Sequence, residues 1–365
     1  MKNMSEPASS IIILAYGDPS LTENCLKSLH HTLEEKKHEI LVFDNASGKE
    51  QSNRLKEIAK DYDATLIHSE TNLGFAGGCN KAAQHASSEV LIFLNNDIIA
   101  RPGWIVPLLK TLRRSEIGIA GSKLLFPDDS IQHAGIGLGF WGLPAMIGRN
   151  YSGDGGSFDQ SKNVMAVTGA CFAVKSEVFQ DLGGFDERFF FSYEDVDFCL
   201  RARKEGILTR YCAESELYHF ESATSSKSPV HEKRIESEER FKHRWRETIF
   251  RSILPVFREL EDNGVNRVAI YGAGRAGLNL LMLLNELTDI EVLGFVQTEA
   301  DESIQTISGL PTVGIENIPW HIDTLLGASI FLEEMKEQAV NNGHGDKFYA
   351  RILENVDPDN LADSA

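Results

Sequence analysis

The sequence has little of what staples or embeds a protein. Its five cysteines, Cys25, Cys79, Cys171, Cys199 and Cys212, are odd in number, widely spaced and never in a CxxC pair. That pattern argues against a disulfide framework or a structural zinc site and suits a reducing compartment, so the expected location is the cytoplasm. Long hydrophobic runs are also missing. The N-terminal apolar run, Ile11 to Ala15, is too short for a signal-peptide core and far below the ~20 residues of a membrane span. The stretch from Gly135 to Gly148 is broken by glycines and Pro144, so no segment is expected to cross a bilayer. Positive charge is scarce too: 36 Lys+Arg face 54 Asp+Glu, a net charge of −18. A field of that sign repels nucleic-acid backbones, so no nucleic-acid partner is expected. An anionic ligand needs a local basic site or a metal ion.

What is present is ordinary globular material, 42% hydrophobic and 25% charged over 365 residues, enough for about two domains. Ile11 to Tyr16 reads as a buried strand closed by Gly17-Asp18-Pro19, and a helix is expected over about Ser20 to Lys36. A strand (Glu39 to Phe43), a helix (about Glu50 to Tyr62), a strand (Thr65 to His68), a glycine-rich helix (Asn72 to Ala86) and a strand (Glu89 to Leu94) follow. This alternation indicates βαβ units around a mostly parallel sheet, hence an α/β fold. Ligands of such sheets sit at the carboxyl ends of strands, which directs attention to Tyr16, Asp18, Asp44, Asn45 and Asn95-Asn96-Asp97. Each of these is also a common turn former. A carboxylate at the sheet edge, such as Asp97, is placed where a divalent cation can bridge it to a diphosphate.

Three segments, Asp44-Asn45-Ala46-Ser47, Asn72-Leu73-Gly74-Phe75-Ala76-Gly77-Gly78-Cys79-Asn80 and Leu94-Asn95-Asn96-Asp97, resemble the nucleotide-binding half of family 2 glycosyltransferases with the GT-A fold. Thr168-Gly169-Ala170-Cys171, Gly183-Gly184-Phe185-Asp186-Glu187-Arg188-Phe189-Phe190, Tyr193-Glu194-Asp195-Val196-Asp197-Phe198-Cys199-Leu200-Arg201 and Tyr218-His219 continue the likeness in order. The resemblance spans about Ser9 to Thr224 and is nearest to bacterial rhamnosyltransferases of surface-polysaccharide assembly.

The resemblance implies an inverting transfer from a UDP- or dTDP-sugar to a hydroxyl of a glycan or lipid-linked acceptor. Tyr16, Asp18 and Asp44 would hold the nucleoside. Asn72, Gly77, Gly78, Asn80 and Asn96 would lie against nucleotide and sugar. Asp97, at the last acidic position of the family's DxD motif, and His219 would hold Mg²⁺ or Mn²⁺; the first DxD position is Asn95 here. Asp195 would be the general base, with Glu194 in support. The residues themselves leave another reading open, because Ser192 with Asp195 fits a capping box and Asp197 with Arg201 a helical ion pair.

Past residue 230, Phe241, Trp245, Ile249, Ile253 and Phe257 recur every four residues, an amphipathic helical stripe. Arg240, Lys242, Arg244, Arg246 and Arg251 outnumber Glu239 and Glu247 beside it. Either the stripe packs inward, or the basic, aromatic face of 239–258 meets a polyprenyl-diphosphate acceptor or the inner membrane surface. A second strand, Arg267 to Tyr271, runs into Gly272-Ala273-Gly274-Arg275-Ala276-Gly277, a GxGxxG in the context of a dinucleotide turn. The acid expected about 20 residues later to bind a ribose is replaced by Gln297, with Glu299 two residues on. The domains expected are therefore a transferase over 1–230, a helical linker over 231–262, a Rossmann-like domain over 263–355 and a tail over 356–365. An NAD-dependent sugar oxidoreductase and a non-catalytic sugar-nucleotide-binding regulator are the competing functions.

Overall fold

A computed structural model describes residues 8–33, 37–151, 156, 158–221, 228–299, 306–329 and 331–356, without the side chains of 228–231. The tail expected over 356–365 lies outside the described residues beyond Val356. The chain divides into two compact units, one from Met1–Ile136 with Ser152–Arg244, the other from Gly137–Tyr151 with Trp245–Val356.

The first unit opens with β1 (Ser9–Ala15), α1 (Pro19–Thr32), β2 (His38–Asn45), α2 (Lys49–Asp61), β3 (Thr65–Ser69), α3 (Gly74–Ala83) and β4 (Val90–Asn95). These strands pair in parallel in the order β4-β1-β2-β3. Continuous apolar runs such as Ile11-Ile12-Ile13 are wholly buried, as a parallel sheet covered on both faces requires. Next come β5 (Ile98–Ala100), α4 (Ile105–Leu112), β6 (Ile117–Leu125) and β7 (Ile131–His133). The chain leaves for the second unit through β8 (Ile136–Gly139) and β9 (Pro144–Met146), then returns through β10 (Lys162–Val164), β11 (Cys171–Lys175), α5 (Ser176–Asp181), α6 (Glu194–Lys204), β12 (Leu208–His219) and α7 (Ser228–Arg244). Strand β11 runs antiparallel between β4 and β6 and so joins the first parallel block to the parallel pair β6-β12.

Two features of this unit position the chemistry. Helix α3 lies close to the sheet because a Cβ on Gly78 would come within 2.5 Å of Leu14 Cδ1. Behind α6, the rings of Phe93, Phe172, Phe179, Phe185 and Phe198 pack tilted and edge-on, with neighbouring centroids 5.0–6.4 Å apart.

The second unit holds α8 (Arg246–Asp262), β13 (Arg267–Tyr271), α9 (Arg275–Leu287), β14 (Glu291–Gln297), β15 (Thr306–Ile307), β16 (Leu310–Gly314), β17 (Thr324–Gly327), α10 (Leu332–Asn341), β18 (Phe348–Tyr349) and β19 (Ile352–Leu353). Its parallel strands follow the order β16-β14-β13-β17-β18, with β15 antiparallel at the edge. The Gly-rich stretch near Gly135–Gly148 folds here, where β8 pairs with β9 and β19. Asn279 Nδ2 donates to the Trp141 carbonyl at 2.6 Å, fixing that excursion to α9.

The helical stretch expected over 231–262 is two helices, interrupted at Trp245. Phe241, Trp245, Ile249, Ile253 and Phe257 are all buried, so the stripe packs inward. No helix of the described residues is long and apolar enough to cross a membrane.

Candidate active site

The carboxyl end of β4 carries Asn95-Asn96-Asp97, and β5 turns back to pair antiparallel with β12, setting His219 opposite Ile98. This register brings together two residues far apart in sequence. His219 Nε2 lies 3.1 Å from Asp97 Oδ1 and 3.3 Å from Asn95 Nδ2. On the other edge of the ring, Nδ1 lies 2.6 Å from Gln132 Oε1, whose amide nitrogen donates back to the His219 carbonyl at 3.2 Å. A carbonyl oxygen accepts only, so Nδ1 carries a proton and Nε2 is the nitrogen turned toward Asp97. One imidazole nitrogen and one carboxylate at this spacing fit Mg²⁺ or Mn²⁺ that completes its shell with diphosphate oxygens and water. The described residues contain no group of three His, Cys, Asp or Glu able to hold a metal without such help.

Asp195 stands at the start of α6, after Ser192 and Tyr193 with φ of 68° and 74°. The capping box anticipated between Ser192 and Asp195 does not form; the helix cap is Tyr193 and makes no capping hydrogen bond with its side chain. Instead Asp195 Oδ2 accepts from the Gly169 N–H and Oδ1 from the Val196 N–H, both at 2.8 Å. The next residue of that turn, Ala170, accepts the Asn95 N–H at 3.1 Å, so one short turn holds both the carboxylate and the Asn95–Asp97 segment. His133 braces the turn from behind. Its Nδ1 faces the Ser122 carbonyl at 3.0 Å and its Nε2 accepts the Thr168 N–H at 3.3 Å, while burial lowers its pKa to about 4 and keeps it neutral.

Glu194 and Asp195 are adjacent carboxyls, and burial raises both pKa values. Their surroundings separate their roles. Asp195 is partly exposed and has backbone donors on both oxygens, whereas Glu194 is buried and its Oε2 has no hydrogen-bond partner. Burial and the Asp195 charge push Glu194 up, whereas at Asp195 the Gly169 and Val196 N–H groups oppose the rise and favour the anion, which has a face open to solvent. Asp197 is structural: it pairs with Arg201 at 2.9 Å and with Arg244 at 3.2 Å.

The nucleoside-side residues are placed less directly. Tyr16 is 48% exposed at the tip of β1, and Asp18 caps α1 by accepting the Ser20 N–H at 2.9 Å. Asp44 is wholly buried. Its carboxylate accepts the Ser47 N–H at 3.0 Å and bonds the Ser52 hydroxyl and His68 Nδ1. Burial alone would push its pKa up, but these hydrogen bonds outweigh burial and hold it below the usual carboxylate range. Asp44 thus shapes the wall of a cleft of about 520 Å³ lined by Ser52, His68, Lys49 and Asn53.

Asn72 is exposed and ties the Gly74 N–H to Asn45, and Asn96 Nδ2 donates to Thr22 at 3.2 Å. Gly77 is buried, and a Cβ there would approach Leu73 to 3.0 Å. Gly78 serves the contact of α3 with the sheet, and the Asn80 amide clamps the turn at Phe185, donating to its carbonyl at 2.8 Å and accepting its N–H at 2.9 Å. Gln132, His133 and Gly169 were not legible as site residues. Their signal is hydrogen bonding across 26 to 87 positions of sequence, which no local pattern carries.

In the second unit the glycine turn separates into parts. A Cβ on Gly277 would lie 1.8 Å from the Gly272 carbonyl oxygen, and Gly272 has φ 111°. Both must be glycine for the strand to meet α9. Gly274 has nothing within 4 Å.

The first unit, with a mostly parallel sheet and its cleft at the strand ends, is a GT-A glycosyltransferase domain. Two solved structures share the fold: GalNAc-T7 with UDP, GalNAc and Mn²⁺ (TM-score 0.53, 18% identity, 64% of this chain and 48% of that one) and the mannosyltransferase PcManGT from Pyrobaculum calidifontis with GDP-Man and Mn²⁺ (0.50, 17%, 78% and 75%). The family model for glycosyl transferase family 2 matches residues 10–183, and that for glycosyl transferase family group 2 matches 145–249. The chain belongs to the family 2 glycosyltransferases. It is 34% identical over 227 residues to the O-antigen biosynthesis protein RfbC of Myxococcus xanthus, covering 60% of this chain but 18% of that one. It is 24% identical over 243 residues to the N-acetylglucosaminyl-diphospho-decaprenol L-rhamnosyltransferase of Mycobacterium tuberculosis, covering 60% and 78%. The chain thus spans about a fifth of the length of the first of these relatives.

Proposed function

We propose that this glycosyltransferase moves a sugar from a UDP- or dTDP-sugar to a hydroxyl of a glycan or lipid-linked acceptor, with inversion, in the assembly of a surface polysaccharide. The observation that carries the reading is the Gly169-Ala170 turn. It donates to Asp195 at 2.8 Å and accepts from Asn95 at 3.1 Å, which supports reading Asp195 as a base beside the segment that would hold the leaving group. The relatives' names, an O-antigen biosynthesis protein and a rhamnosyltransferase acting on a diphospho-decaprenol sugar, support the polysaccharide setting and the lipid-linked acceptor.

Asp195 takes the proton of the acceptor hydroxyl as its oxygen bonds to C1 of the donor sugar. The bond from C1 to the nucleotide diphosphate breaks on the opposite face, and no covalent enzyme intermediate forms. Asp97 and His219 would hold a divalent ion whose chemistry is to neutralise charge on the departing diphosphate. Gln132 keeps His219 Nε2 turned to that position, and Gly169 keeps Asp195 aimed. Asp195→Asn retains the geometry but cannot accept a proton. It is expected to lower transfer by about 10²- to 10⁴-fold while leaving nucleotide binding at the wild-type value. Steady-state transfer assays paired with calorimetric titration of the nucleotide check this, and a variant retaining most of its turnover would contradict the assignment.

A further inference from the structure

Helix α7 packs against the start of the helix that carries Asp195. The Tyr193 and Phe241 rings lie 5.2 Å apart, and the Tyr193 hydroxyl donates to Glu238 Oε2 at 3.2 Å. Between α7 and the loop after Gly184 opens a cleft of about 640 Å³ lined by Arg188, Glu236, Arg240, His243 and Arg244. In a chain of net charge −18, three arginines and a histidine on the walls of one cleft are a local reversal of sign.

The arginines come from two directions, and two of them are held. Arg188 bonds Asp186 through Nε at 2.9 Å and Nη2 at 2.6 Å and is still 65% exposed. Arg244 bonds the same carboxylate at 2.7 Å and reaches Asp197 at 3.2 Å. Hydrogen bonds from Arg188, helped by Arg244, hold the Asp186 carboxyl at about 2 against the effect of burial, so it stays ionised as an anchor. Arg240, His243 and Arg244 stand at i, i+3 and i+4, one face of α7. Arg240 is exposed and enters no ion pair among the described residues. Glu236 is the one acid on the walls, and it is paired with Lys233 at 2.9 Å.

Three guanidinium groups lining one cleft, two of them braced by carboxylates, match a ligand with several anionic oxygens. Asp197, which anchors Arg244, lies two residues past the candidate base. We infer that this cleft binds the diphosphate of the acceptor, seating the sugar that bears the nucleophilic hydroxyl near Asp195. The inference rests on the reading of Asp195 as the base for placing the group on the acceptor, but the binding itself can be measured without any transfer.

The test is equilibrium binding of inorganic pyrophosphate and of farnesyl diphosphate to the full chain in EDTA, which silences metal-dependent binding in the donor cleft. Arg240→Glu is expected to weaken both ligands about tenfold or more, and Arg240→Ala less, with unchanged thermal unfolding as the control on folding. Tighter binding of the prenyl ligand assigns the group to a lipid headgroup, and equal binding assigns it to a soluble diphosphate. Wild-type affinity in both variants, or no binding of either ligand to the wild-type chain at millimolar concentration, would overturn the inference. A chain that binds diphosphate here yet transfers no sugar would instead count against the proposed function and leave the cleft standing.

Discussion

Glu194 is where burial acts on stability next to the candidate base. Its carboxyl is buried with one oxygen unpartnered, and burial raises its pKa well above that of an exposed glutamate. The sign follows from linkage. A folded-state pKa above the unfolded value of about 4.3 favours the folded state at low pH and costs stability as pH rises toward the raised value. Glu194→Gln removes the ionisation, so its melting temperature is expected to match the wild type near pH 4 and exceed it increasingly toward pH 8. The same change leaves both backbone donors on Asp195, so transfer should hold while stability rises. Thermal scans across pH, read beside transfer rates, check both halves; a variant less stable than wild type at pH 8 would contradict the assignment. The neighbouring Asp195 shows what was legible at this scale. Its identity as a candidate came from its motif, but the two backbone donors that favour its anion come from Gly169 and Val196 and needed the fold.

Among elements, the glycines divide by what their missing side chains would strike. At Gly74, φ is 72° and a Cβ would lie 2.5 Å from the Phe190 carbonyl oxygen, a backbone atom that cannot swing away. At Gly277 the obstacle is the Gly272 carbonyl at 1.8 Å. Alanine at either position is expected to destabilise its unit by about 1–3 kcal/mol or more, whereas Gly274→Ala, with open space around it, should unfold with the wild type. Denaturant titration of the three variants distinguishes these outcomes. The order and type of the first seven elements were readable from apolar periodicity and turn residues, because β1, β2 and β4 are covered on both faces and so read as unbroken runs. The irregular half was not. Strand β11 is antiparallel within a parallel sheet, and β8 pairs with a strand more than 200 positions away, so neither leaves a local signature.

For the molecule as a whole, a net charge of −18 made a diphosphate partner look improbable without local help. The structure supplies two kinds of help. One is the Asp97–His219 pair, suited to a cation, and the other is the arginine-lined cleft beside α7. The chain's second unit contributes an open parallel sheet in which packing explains the glycines at 272 and 277 and leaves Gly274 in open space. The central claim therefore rests on the first unit alone. It is tested most directly by a donor-hydrolysis panel of UDP-, dTDP- and GDP-sugars on the full chain, with and without Mn²⁺. Cleavage of a UDP- or dTDP-sugar that requires the added metal is the expected result, and turnover of no nucleotide sugar under either condition, or equal turnover in EDTA, would contradict it.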